Sequence, residues 1–276
     1  MNNRTTRCLL GGVLGLLLPL TAQATADDEL VFGSVAMDIP AQMLSRLEPF
    51  TEYLAGTLER DVNLRLSSSM PDAIREIVEG RSDIAYLTPV AYIRANQRGG
   101  VEPLARTITK GEDSFRLMIV VAEDSPLQSP EELAGKRFAF GDEAALLQRA
   151  AVVDSGIELA DLGAYHFLGH YDNIVRGVIS GDFDAGILKD TAAYRWEGNG
   201  IRILHASPAL PPYVIAARAG LDPALQDRIR AALLTASPDD PASGPAMRAL
   251  DENYDGFAPV SDADYDVVRG LIAPFD

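Results

Sequence analysis

Cysteine is nearly absent from this 276-residue chain, and its one thiol, Cys8, lies in the N-terminal segment. Everything beyond that segment is therefore without disulfides, thiol nucleophiles or thiolate metal sites. Positive charge is scarce as well: 24 Lys and Arg stand against 40 Asp and Glu, a net of −16. A field of that sign repels phosphate backbones and anionic lipid, which excludes nucleic acid as a partner, and it works against long-range steering of anionic solutes. Long apolar runs are missing. The longest, Leu9 to Leu20, is roughly a dozen residues where about 20 are needed to cross a bilayer. No GxSxG elbow, P-loop or GxGxxG fingerprint is present, and with no visible catalytic constellation the chain reads as a non-enzyme. His166, His170 and His205 lack metal-ligand spacing on a predicted helix, so neither a metal nor a cofactor is expected.

What the N-terminus does contain is the pattern of an export signal. Arg4 and Arg7 form a positive start, Leu9 to Leu20 an apolar centre, and Ala22, Ala24 and Ala26 a small-residue cleavage region,. Residues 1–26 read as a signal peptide, which places the protein in the periplasm. Cleavage removes Cys8 and two arginines, leaving 22 basic against 40 acidic residues, a net of −18. The remaining residues, 47% hydrophobic over the whole chain, are enough for one large or two modest domains.

Periodicity gives an alternating order. Glu29 to Gly33 reads as a strand, Pro40 to Leu58 as a helix with Met43, Leu47, Phe50, Leu54 and Leu58 on one face, and Val62 to Leu66 as a second strand,. Ser69 to Glu79 follows as a helix with Ser69 at its N-cap, then a strand at Ile84 to Leu87 and a helix around Val90 to Asn96,. Phe115 to Ala122 is a near-continuous apolar run of strand length, after which a second series begins: strand 138–140 and a helix from Ala144, strand 165–168 and a helix from Asp172, strand 185–188 and a helix from Thr191,. Tyr213 to Ala217 is a further strand and Pro223 to Thr235 a helix. Two βα series linked by two extended segments predict two α/β lobes with the chain crossing between them twice, and a cleft at the crossing.

Strand ends that feed helix N-termini present unpaired N–H groups to such a cleft. The turn after Phe140 is one of these, and Asp142 and Glu143 occupy it; acids there also suit the helix dipole whatever the ligand. Ser34 follows the first strand, Ser69 and Thr88 sit at helix starts, and Tyr92 lies one turn into the helix after Thr88. Each offers a hydroxyl or ring to the cleft, with capping or core packing as the structural alternative. His170 and Tyr171 occupy the next strand-to-helix turn. Lys189 is either a counter-charge for an acidic solute or a partner of Asp142 or Glu143. Tyr194 and Trp196 read as core.

The stretches GSVAMDIP (33–40), EIVEGRSDIAYLTPVAYIRA (76–95), LMIVVAEDSPLQSPEELAGKRFAFGD (117–142), GHYDNIVRGVISGDFDAGILKD (169–190) and FAPVSDADYDVVRGL (257–271) together resemble the phosphate/phosphite/phosphonate-binding branch of the type 2 periplasmic solute-binding proteins. The resemblance implies a venus-flytrap fold with two mixed, mainly parallel sheets, lobe 1 at 27–115 plus 213–276 and lobe 2 at 116–212. It further implies a monomer that captures a small solute and presents it to an ABC permease, or alternatively to a membrane sensor; an enzyme on the same fold is a lower alternative. In phosphonate binders of this family, serine and threonine follow the FGD-like segment and hold the phosphonate oxygens, where this chain has Glu143, Ala144, Ala145 and Leu146. His170 and Tyr171 stand before Asp172 where the family commonly has serine and histidine, and Lys189 falls where it often has aspartate. These departures imply a solute altered from phosphonate.

Overall fold

A computed structural model describes residues 29–35 and 40–275; the expected signal segment lies outside the described residues. The first sheet contains β1 (Glu29–Val35), β2 (Asp61–Ser67), β3 (Ile84–Leu87) and β4 (Glu102–Thr109), and the second begins with β5 (Leu117–Ala122) and β6 (Arg137–Phe140). The helices between them are α1 (Pro40–Leu58), α2 (Met70–Val78) and α3 (Pro89–Gly99). The second half carries α4 (Leu146–Asp154), β7 (Ala164–Phe167), α5 (Tyr171–Ile179), β8 (Ala185–Lys189), α6 (Asp190–Trp196) and β9 (Ile201–Ala206). The chain then returns through β10 (Val214–Ala217), α7 (Pro223–Thr235), α8 (Ser243–Leu250), β11 (Tyr254–Ala258) and α9 (Asp266–Ile272). Among the described residues no helix is long and apolar enough to cross a membrane.

The sheet orders are β11-β4-β10-β3-β1-β2 and β7-β6-β8-β5-β9. Both are mixed, but the expectation that they are mainly parallel is corrected. In the first sheet β1 pairs parallel with β2 and β3, while β10 pairs antiparallel with β3 and β4, and β4 with β11. In the second, β6 pairs parallel with β7 and β8, while β5 runs antiparallel between β8 and β9. The cause is the double crossing: β5 and β10, the first strands entered after each passage, insert antiparallel into a sheet built by βα units. The antiparallel partners β4 and β9 are only partly buried, which hides them among turns, and β11 is a short strand interrupted by Asp255 and Gly256.

Each helix packs as its apolar face dictates. Met43, Leu47, Phe50, Leu54 and Leu58 of α1 are all buried against the first sheet, and Phe50 meets Phe32 with ring centroids 4.8 Å apart. A second apolar cluster runs without interruption from α2, α3 and β3 to β5, β6 and α4, and takes in Tyr265, Val268, Leu271 and Ile272. Helix α9 thereby packs on both α3 and α4 and bridges the two sheets. Trp196 packs partly buried against the second sheet, whereas Tyr194, expected in the core, is 58% exposed. The seven-residue α6 buries only Ala193, so its opposite face has nothing to cover it.

Three aspartates tie these pieces together and make the fold acid-sensitive. The Arg137 side chain holds Asp184 below the ordinary carboxylate range, and the Ser261 backbone N–H does so for Asp264. Burial acts upward on Asp262, but hydrogen bonds from Tyr92 and Arg269 outweigh it. A carboxyl lowered in the folded state stabilises above its unfolded value, here 3.8, and that contribution is lost as pH falls through the lower folded value. The urea midpoint is expected to stay level from pH 7 to about pH 5 and to drop below about pH 4, with a shallower drop in Arg269→Gln. A midpoint that holds constant down to pH 2 contradicts this.

Candidate functional site

β6 is a short buried strand whose last residue, Phe140, delivers the chain to Gly141. Helix α4 starts only at Leu146, later than the Ala144 expected, because the intervening residues close a turn on themselves. Asp142 Oδ1 accepts from the Ala144 N–H at 2.7 Å, and the Asp142 carbonyl accepts from the Ala145 N–H at 3.0 Å. The Gly141 N–H donates to Gln148 Oε1 at 2.8 Å. Three donors of the turn are thus satisfied internally, while the Asp142 and Glu143 side chains stay exposed.

Beside this turn lie the first residue of α5 and the last of β8. Tyr171 is half-buried; burial pushes its phenol pKa up, while hydrogen bonding to the Gln148 side chain and the Lys189 backbone acts the other way. Lys189 sets its ammonium 5.4 Å from the centroid of the Phe115 ring, and among the described residues it pairs with neither Asp142 nor Glu143. Tyr171 thus lies near the Gln148 side chain that holds Gly141 and near the Lys189 backbone, while the Lys189 ammonium lies against Phe115. His170 holds the N-cap position of α5 with its ring exposed and no side-chain cap bond.

The facing wall comes from the first sheet. Tyr213, just before β10, stacks on Tyr86 with centroids 4.9 Å apart and planes at 26°. The Tyr86 hydroxyl bonds that of Tyr254. Burial raises the pKa of Tyr213, and the nearby Tyr254, Tyr171 and Asp251 raise it further; Tyr171 and Tyr213 are thus within electrostatic reach of one another across the two sheets. Burial likewise raises Tyr86 and Tyr254, which sit in the core of the first sheet, so all four phenols are neutral at physiological pH, and the half-buried Tyr171 and Tyr213 are the two with ring surface left to offer,. Tyr86, Tyr213, Tyr254 and Gln148 escape a reading of the sequence. Tyr86 sits in a fully buried strand, and Tyr254 belongs to an unexpected one. Gln148 has a visible signal, an amide among apolar helix positions, because a buried amide needs a partner.

Of the other expected residues, Ser34, the last but one of β1, is fully buried, and its hydroxyl lies 3.5 Å from the Val35 carbonyl. Ser69 caps α2, accepting from the Asp72 N–H and donating to its carboxylate at 2.9 Å. Thr88 caps α3, accepting from the Ala91 N–H at 3.2 Å. These three mark the C-terminal ends of β1, β2 and β3. Tyr92 does not join them: it is fully buried, its ring packs 4.4 Å from Tyr265, and its hydroxyl donates to Asp262 at 2.6 Å. In this conformation Tyr92 offers a solute no surface and braces the C-terminal segment instead.

Two mixed α/β sheets crossed twice by the chain, with a polar and aromatic site at strand ends between them, define a two-lobed binding protein of the type 2 periplasmic class. Residues 32–265 match the family described as ABC transporter, phosphonate, periplasmic substrate-binding protein, and the chain belongs to that family. The phosphate-import protein PhnD of Mycolicibacterium smegmatis is 27% identical, over 84% of this chain and 82% of its own. Among solved structures, XAC2383 from Xanthomonas citri bound to ATP superposes with a TM-score of 0.73 at 24% identity, covering 89% of this chain and 96% of that one. PhnD1 from Prochlorococcus marinus in complex with methylphosphonate gives 0.69 at 17% identity, covering 90% and 98%. The family is one of transport proteins of the periplasm that bind small solutes for a permease.

Proposed function

We propose that this protein is exported by cleavage of residues 1–26 and captures a small solute that is not a bare tetrahedral oxyanion, between a lobe of residues 27–115 plus 213–276 and a lobe of 116–212. The solute lies against Ser34, Ser69 and Thr88 at the first sheet's strand ends and against Asp142, Glu143, His170, Tyr171 and Lys189 on the second. Closure of the lobes, with the solute bridging them, is the state presented to an ABC permease.

One observation carries the reading of the solute: the N–H groups of Gly141 and Ala144, at the turn where an anion would be cradled, are already bonded to Gln148 and Asp142. A phosphate there loses charge-assisted bonds and meets two exposed carboxylates. The relatives named for phosphate and methylphosphonate supply the scaffold in this reading and not the ligand. The neutral phenols opposite suit a polar or zwitterionic solute, whose acidic end Lys189 is free to meet.

A thermal-shift screen of the mature protein checks this. Phosphate and methylphosphonate at 1 mM are expected to leave the melting temperature unchanged, while a zwitterionic or neutral solute raises it. At about 100 times its Kd a ligand adds roughly 2.7 kcal/mol. A rise of several degrees with 1 mM phosphate overturns the reading.

A further inference from the structure

Gln148 stands alone as a polar side chain in the buried face of α4, between Leu147 and Ala150–Val152, and is only 6% exposed. Its two donors and its acceptor must find partners in the interior. The acceptor takes the Gly141 N–H at 2.8 Å. Tyr171, which opens the neighbouring helix, lies close enough for this amide to lower its phenol pKa against the effect of burial. A second observation shows how closely the amide covers the strand end. A Cβ placed on Gly141 meets Gln148 Nε2 at 2.9 Å and Oε1 at 3.2 Å. Gly141 is not among the glycines with positive φ, so what an added Cβ would meet there is the end of this one side chain and not a torsional penalty.

We propose that Gln148 is the specificity-determining residue of the solute site: its side-chain amide fills the cradle at the end of β6 and occupies the Gly141 N–H. The inference rests on the proposed reading of the site and names the device that enforces it. An anion that takes the Gly141 N–H has to displace Oε1 from it, which strands a buried amide oxygen without that donor. Such a loss weakens oxyanion binding by about tenfold or more. A solute that approaches from Lys189 and the phenol wall leaves the bond intact, so discrimination comes from a penalty on the wrong ligand.

Gln148→Met keeps the length and helix preference of the side chain but removes its donors and its carbonyl acceptor; Gln148→Ala also opens space. Titration calorimetry of the mature protein with inorganic phosphate and methylphosphonate is the readout, with amide exchange of Gly141 followed by NMR. The wild type is expected to show no binding at millimolar anion and a protected Gly141 N–H. The variants are expected to expose that N–H and to bind at least one of the two anions about tenfold more tightly or better. If the variants fold and free the Gly141 N–H yet gain no affinity, Gln148 is not the determinant, and the reading of the solute stands without it. If the wild type binds phosphate tightly, the reading of the solute fails; tighter binding still by the variants preserves the role of Gln148, and weaker or equal binding overturns that too. Should neither variant fold, phosphate titrated into the wild type decides: a shifted Gly141 amide resonance overturns the proposal and an unmoved one supports it.

Discussion

Phe140→Ala is expected to cost about 3–5 kcal/mol of stability, the range for deleting a fully buried aromatic side chain. Phe140 has no exposed surface and stands at the centre of a ring cluster, 4.7 Å from Phe138, 5.6 Å from Tyr165 in an edge-on arrangement and 5.8 Å from Phe167. Each ring loses its quadrupole partner as well as its dispersion contacts, and the gap is too enclosed by strands β6 and β7 to collapse. Because Phe140 is the residue that aims Gly141 at the cleft, the site loses its foundation along with the core. Urea unfolding reads the effect. A loss under about 1 kcal/mol would mean that this cluster carries far less of the fold than its burial indicates.

Gly186→Ala is expected to destabilise by about 1–3 kcal/mol through overpacking, and to move the site. A Cβ on Gly186, the second residue of β8, falls 2.4 Å from Ile174 Cγ2 and 3.2 Å from the Ala139 carbonyl. The strand is held on both sides, parallel to β6 and antiparallel to β5, so helix α5, which carries Ile174, is the part that moves. Tyr171 opens that helix and shifts with it, away from Gln148. The clash identifies its own cure: Ile174→Ala removes the obstructing methyl group. The double variant is expected to be more stable than the sum of the two single losses predicts, and a strictly additive double-mutant cycle would rule out this contact as the cause.

The parts of this architecture that a reader finds in the sequence are those where one residue type repeats at a local period. The α1 face from Met43 to Leu58 is buried as its helical spacing dictates, and α7 begins and ends where Pro223 and Thr235 place it. Strands β4 and β9 are less visible because much of each is only partly buried, and such an antiparallel strand resembles its flanking turns, while β11 is short and carries Asp255 and Gly256 among its buried residues,. Their antiparallel pairings, with those of β5 and β10, are why parallel pairs do not predominate in either sheet.

The candidate site divides along the same line. Hydroxyls at strand ends, such as Ser69 and Thr88, and the acidic turn at Asp142 are local features, and motif order across the chain is enough to assign the family. Composition and chain order alone establish an acidic, cysteine-poor α/β protein with two βα series and an anion-type turn. Whether that turn is open depends on Gln148, seven residues later and on the next element, and whether Tyr92 meets a solute depends on Asp262, 170 residues away. Those outcomes arise from contacts between elements distant along the chain, where burial forces each polar group to take the nearest partner that folding brings to it, and no local period records which partner that is.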